Sequence, residues 1–190
     1  MNFQPAPPQL LTITPEKSRT NAISILQPNG TSTKLYTCKA SLSKTKLEIC
    51  YADGRPIAKV EFHTFSTRFD IELHGNKFSM PTKSLLSTSH YFTDPALGEL
   101  HWNENKMSQG LRLLDNRDQV VAQYIRELKD VPGIKQTSWM SQLVGKQPIG
   151  GFEVFVPTQD WRLLDMIVVT GCAAVHYRLT NDKAVTKMIT

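Results

Sequence analysis

Between about Leu10 and Phe155 the chain alternates apolar and polar residues in short runs broken by turn chemistry. Leu47, Ile49 and Tyr51 interleave with Lys46, Glu48 and Cys50, then Ala52-Asp53-Gly54-Arg55 reverses the chain, and Ala58, Val60 and Phe62 interleave with Lys59, Glu61 and His63. A period of two on both sides of such a turn predicts a β-hairpin with one apolar face. Phe69, Ile71 and Leu73 repeat the pattern against Arg68, Asp70 and Glu72, and Gly75-Asn76 turns the chain toward Lys77 to Met80. A second hairpin is predicted where Gly110 to Leu114 meets Val120 to Ile125 across Asp115 to Asp118. Further strands are expected at Leu10 to Thr14, Ala22 to Leu26, Leu35 to Lys39, Leu85 to Phe92, Gly98 to Trp102 and Phe152 to Val156. Residues 132–148, with two Pro and two Gly, read as a loop with a short helical turn around Trp139.

The stretch from Asp160 to Arg178 breaks this pattern. Met166 to Val169 followed by Cys172 to Val175 points apolar atoms in every direction around a helix, so this helix must be enclosed. Ten residues, from Met166 to Val175, fall short of the roughly 20 needed to cross a bilayer, and the enclosing material is therefore expected to be protein. Gly171, Ala173 and Ala174 would let a wall approach closely, Thr170 can return its hydroxyl to the carbonyl one turn back, Thr158 or Asp160 can cap the start, and Arg178 suits the C-terminal end. A sheet of around ten strands hides its edges by closing into a barrel, and the helix would fill the lumen.

This combination resembles the tubby C-terminal-like superfamily, which includes tubby proteins, phospholipid scramblases and plant LURP-one-related proteins. The residues that carry the likeness are the run from Trp161 to Gly171 (WRLLDMIVVTG) and the hairpin from Leu47 to Phe62 with its Asp53-Gly54-Arg55 turn. The chain looks most like a fungal group of tubby-like domains without assigned function. The resemblance implies a mainly β fold, a closed antiparallel barrel of about twelve strands around a central hydrophobic helix. On that reading residues 10–180 form one domain with the helix at 160–178, preceded by a Pro-rich leader at 1–9 and followed by a tail at 181–190.

The net charge of +5 is uneven: Lys34, Lys39, Lys44, Lys46, Arg55 and Lys59 face only Glu48 and Asp53 in the same stretch, while residues 61–130 are slightly acidic. A local basic excess suits an anionic partner, or simply a solvated surface. The resemblance implies contact with phosphoinositide lipids. Lys44, Lys46, Arg55 and Lys59, around one hairpin, are the candidate lipid-binding residues, with no established family site transferred onto them. The last twelve residues are too few for a further membrane span and no EF-hand loop is present, which disfavours scramblase activity.

Other chemistry finds little foothold. The five histidines, His63, His74, His90, His101 and His176, lack metal-ligand spacing, and His176 is expected to meet carbonyls or solvent. No nucleophile elbow, P-loop or dinucleotide fingerprint occurs, and Asp70 and Glu72 should point outward, away from any cleft. Trp102, Trp139 and Trp161 are read as core or rim packing. Cys38, Cys50 and Cys172, odd in number and without CxxC spacing, point to reduced thiols. The N-terminus lacks the pattern of a secretory signal, so a cytoplasmic place is expected, with a peripheral membrane or nuclear one as variants. The sequence thus predicts a non-enzymatic barrel module without cofactor or catalytic residues, binding an anionic membrane lipid or a protein, with nucleic acid disfavoured. The alternatives are a small-molecule enzyme with a pocket at the barrel mouth and a purely structural or interaction domain.

Overall fold

A computed structural model describes residues 8–27, 29–63, 66–82, 89–95, 97–105, 110–126, 128, 149–156 and 160–189. Most of the expected leader, the start of the strand expected at Leu85, the loop at 132–148 with Trp139, and Thr158 lie outside the described residues. The rest forms one antiparallel sheet of twelve strands and a helix. The strands are β1 (Gln9–Lys17), β2 (Thr20–Leu26), β3 (Ser32–Ala40), β4 (Lys46–Tyr51), β5 (Pro56–Phe62), β6 (Phe69–Leu73) and β7 (Asn76–Met80). After these come β8 (His90–Asp94), β9 (Gly98–Asn105), β10 (Gly110–Leu114), β11 (Val120–Ile125), β12 (Gly150–Val154) and the helix α1 (Trp161–Ile189).

The sheet order runs from β7 down to β1, then from β12 down to β8. Consecutive strands pair from β1 to β7 and from β8 to β12, β1 also pairs with β12, and the sheet rolls until its outer strands β7 and β8 meet. Among the described residues the seam is stitched at one end, by Tyr91 N donating to Pro81 O at 3.0 Å and by a bridge between Thr82 and His90. The barrel is nearly closed, in keeping with the mainly β barrel the sequence predicts; β7 and β8 follow one another in the chain, and their local patterns carry no record of how many pairs the seam between them makes.

The alternation holds residue by residue. Leu47, Ile49, Ala58, Val60, Phe69, Ile71 and Leu73 are buried, while Lys46, Glu48, Lys59 and Glu61 between them are exposed. Turn chemistry sets the register: Asp53 Oδ1 accepts from Arg55 N at 2.9 Å at the β4–β5 reversal. His74 (φ 51°) and Gly75 (φ 80°) reverse β6 into β7 with two successive left-handed residues, the geometry that matches strand twist.

The helix lies inside. From Leu164 to Ala174 every residue but Met166 is buried. A Cβ on Gly171 would stand 2.7 Å from the Phe152 ring and 3.0 Å from that of Trp102, so the close approach requires glycine there. Thr170 donates its hydroxyl to Met166 O at 2.7 Å and accepts from Trp102 Nε1 at 2.9 Å. Asp160 caps the start by accepting from Arg162 N at 2.9 Å.

Four expectations are corrected. Nothing from Leu179 to Ile189 breaks a helix, so α1 continues past Arg178 to Ile189. Arg178 is consequently not terminal, and it pairs with Glu104 at 2.7 Å and donates to Gly110 O at 3.2 Å. Trp161, read as packed, is 57 % exposed, because side chains at a helix start lean back toward the N-terminus and here beyond the rim. The stretch Trp161–Thr180, 20 residues of mean hydropathy 1.2, is long and apolar enough to span a membrane, unlike the ten-residue run counted from the sequence; 56 % of its most apolar stretch is buried inside the barrel.

Candidate functional site

Antiparallel strands fix which turns share an end of the barrel. The helix enters at the end that carries the β4–β5 and β6–β7 turns, and leaves at the end that carries the β1–β2 and β3–β4 turns. The four cations singled out in the sequence divide between these ends. Lys44 lies in the β3–β4 turn at the exit, with φ 59°, and Lys46 opens β4 beside it, paired with Glu61 at 2.6 Å. That pair holds the Glu61 carboxyl below its ordinary value. Arg55 lies at the entrance, 3.4 Å from Asp53 and 4.8 Å above the Tyr51 ring, so the length of β4, about 20 Å at ~3.3 Å per residue, separates it from Lys44. Lys59 stands on the outer wall between Glu48 and Glu72.

The structure therefore brings Lys44 and Lys46 together and leaves Arg55 apart. It also places acids from the segment beyond residue 61 beside the lysines, since Lys39, Glu48, Lys59, Glu72 and Lys77 form one row of alternating sign across five strands. Asp70 lies on the same wall, its carboxyl held below the usual range by the Ser79 hydroxyl at 2.5 Å and by His63 at 2.7 Å. A shallow groove of about 460 Å³ crosses this wall over Asp70 and Glu72.

The exit end carries a different arrangement, and its key residue was not among the sequence candidates. Leu42, at the tip of the β3–β4 turn, is 82 % exposed. The turn holds it there: Ser41 N donates to Lys46 O at 2.9 Å, Lys44 N donates to Ser41 O at 3.1 Å, Lys46 N donates to Ser41 Oγ at 3.1 Å, and the Ser43 and Thr45 hydroxyls meet at 2.7 Å. The β1–β2 turn lies alongside, fastened by Ala40 N donating to Arg19 O at 2.9 Å. Lys17, Arg19 and Lys44 are exposed here and, among the described residues, make no ion pair. The sequence signal is a lone leucine in Ser41-Leu42-Ser43-Lys44, inside a polar turn between two strands.

The entrance end is organised around Asp165, which is 1 % exposed within the helix that the sequence presents as apolar all round. Its carboxylate accepts from Tyr36 Oη at 2.7 Å, Tyr51 Oη at 2.6 Å and His74 Nε2 at 2.8 Å. Burial and the carboxylate push the Tyr51 phenol up to about 12, and they push that of Tyr36 up further. Tyr36 and Tyr51 stack with centroids 5.8 Å apart, which fixes both hydroxyls. A buried carboxylate with three donors, near a helix N-terminus, is satisfied, and the cluster acts as a pin between helix and wall.

Two further residues continue that pin. The neighbouring Cys38 thiol of β3, together with burial, raises the Cys172 thiol pKa well above the ordinary value. His176 lies 2.8 Å, from Nε2, to the Lys44 carbonyl, and burial lowers its imidazole. Steps of seven and four residues at 100° each bring Asp165, Cys172 and His176 back to one side of the helix. That side faces β3 and β4.

Comparison with known proteins bears on the fold and the family. A solved structure of a protein from Arabidopsis thaliana, AT5G01750, superposes with a TM-score of 0.52 over 86 % of this chain and 88 % of that chain, at 14 % identity, which shows a shared fold. No curated protein matches the chain. The family of unknown function DUF6593 matches residues 17–179, from the last residue of β1 through the enclosed part of α1, and the chain belongs to that family.

Proposed function

We propose that this protein is a tubby-like, non-enzymatic barrel module that docks on anionic membrane surfaces through the end where its helix leaves the barrel. The observation that carries this reading is Leu42, 82 % exposed between the cations Lys17, Arg19 and Lys44, which make no ion pair among the described residues. An apolar tip ringed by cations fits the boundary between headgroups and acyl chains: the leucine enters the apolar layer while the cations stay among phosphates. Each cation near an anionic surface adds about 1 kcal/mol, and full burial of a leucine about 1.5–3 kcal/mol. Together they give weak docking, with a Kd of about tens to hundreds of micromolar, without a pocket. Lys46 supports the turn through Glu61, whereas Lys59 and Arg55 fall outside the docking face. The helix occupies the lumen that a substrate pocket at the barrel mouth would need.

Co-sedimentation with phosphatidylcholine vesicles, with and without phosphatidylserine or phosphoinositide, tests the reading. Wild type should pellet with the anionic vesicles alone. Leu42→Asp should lose at least tenfold in affinity, and Lys17→Glu/Arg19→Glu/Lys44→Glu about a hundredfold, from ~1 kcal/mol per cation. Equal pelleting of all three would overturn it.

A further inference from the structure

We infer that His176 is a positioning residue for the docking turn, so that the way α1 seats in the barrel sets how Leu42 and Lys44 are presented. The inference rests on the docking reading for its functional half, and on geometry alone for its structural half.

The turn at residues 41–45 has a backbone that needs outside support. Lys44 takes φ 59°, a left-handed conformation that a residue with a Cβ keeps only where its surroundings hold it. Its N–H is answered within the turn by Ser41 O at 3.1 Å. Its carbonyl finds its partner outside the turn. His176 answers it, donating from Nε2 across 2.8 Å, and the imidazole is fixed by the Phe62 ring with centroids 5.0 Å apart. One hydrogen bond thus ties the helix to the single residue of the turn whose backbone is strained.

His176 is held in turn by the rest of the helix. Asp165 stands eleven residues earlier, about three turns and ~16 Å along the axis, on the same side. Asp165 grips Tyr36 of β3 and Tyr51 of β4, while His176 grips the turn that joins those two strands at their other end. One face of α1 therefore clasps the β3–β4 hairpin at both ends, with buried Cys172 on the same face between them. A shift of the helix along its axis would move His176 off the Lys44 carbonyl and release the turn, so the buried helix and the docking surface form one mechanical unit. The Ser41, Ser43 and Thr45 hydroxyls restrain the sides of the turn through bonds within residues 41–46, and Phe62 N of β5 donates to Thr45 O at 2.8 Å, which anchors the end of the turn at the wall but leaves the Lys44 carbonyl to His176.

The test uses the full chain with His176→Leu, which removes the donor, and His176→Gln, whose amide nitrogen reaches the position of Nε2. Amide hydrogen exchange of residues 41–46 is measured without lipid, and binding to phosphatidylserine vesicles alongside it. The expected result is about tenfold faster exchange and severalfold weaker binding for the leucine variant, with both restored by glutamine, since a lost hydrogen bond to a strained turn opens it locally. If His176→Leu does not fold, His176→Asn, whose shorter amide stops short of Lys44, takes its place. Unchanged exchange in residues 41–46 overturns the positioning role whatever the vesicles show. Faster exchange with glutamine rescue, in a protein whose wild type ignores the vesicles, overturns the docking reading and leaves His176 as a structural clasp only.

Discussion

At the end of the barrel where the helix enters, Asp165 meets three donors and Arg55 meets both Asp53 and the Tyr51 ring, whereas at the end where it leaves, Lys17, Arg19 and Lys44 have no ion pair among the described residues and Leu42 stands in solvent. The same β3–β4 hairpin reaches both ends. The contrast separates two uses of polar residues. Groups that satisfy one another hold helix to wall and leave little for a ligand. Unanswered cations beside an exposed apolar tip leave a surface whose best partner is another surface, with charge outside and hydrocarbon within.

The sharpest way to break that contrast is to place a second carboxylate in the helix without its donors. Val168, three residues after Asp165, is fully buried, so Val168→Asp should cost several kcal/mol, comparable to a domain's whole stability of about 5–15, and prevent folding. Soluble expression with an unchanged melting temperature would contradict burial of the helix. The converse substitution, Asp165→Ala, strands the hydroxyls of Tyr36 and Tyr51 and the imidazole of His74. It should cost about 3–5 kcal/mol and lower the melting temperature by about 10 °C; a loss within 2 °C would mean that the cluster is not a pin.

His90 tests the exit end through pH. It is 3 % exposed, its Nδ1 has no partner among the described residues, and burial among Phe69 and Tyr177 lowers its pKa to about 4 against the opposing effect of the Met80 backbone. The unfolded chain takes up this proton near 6.5 and the folded barrel only near 4, so stability present above the unfolded value is lost as pH falls between them. The loss attributable to His90 is about 3 kcal/mol, measurable by urea titration at pH 7, 5.5 and 4.5, and His90→Phe should flatten that dependence. An equal slope in the variant would assign the acid sensitivity elsewhere. The smallest effects on stability belong to the docking face: Leu42→Asp and Lys44→Glu should shift unfolding by less than about 0.5 kcal/mol, so that a large shift in either would recast the turn as scaffold.

Most of the barrel is legible in the sequence because hairpins are local. The turn at Asp53 and Gly54 and the alternation from Leu47 to Val60 lie within a few residues of one another, and a pleat exposes every second side chain. The enclosed helix is legible for the complementary reason, that no side of it offers a polar face wide enough for water. Charge is harder to read, because pairing reorders it. Counting along the chain makes the segment from Lys34 to Lys59 basic, yet β5, β6 and β7 set Glu61 against Lys46 and Glu72 beside Lys59 and Lys77. Asp165, Cys172 and His176 also share a side of the helix by spacing alone. The apolar run hides them, since each is meaningful only beside the strand residue it meets. Leu42 hides for the opposite reason, as one leucine in a polar turn carries no periodicity.

Which end meets the membrane can be read directly by attaching an environment-sensitive fluorophore to Leu42→Cys at the exit or to Asp53→Cys at the entrance, each in a Cys50→Ser background, and adding phosphatidylserine vesicles. The account predicts a blue shift for the label at position 42 and none at position 53. A shift at position 53, or at neither, would contradict docking through the end where the helix leaves.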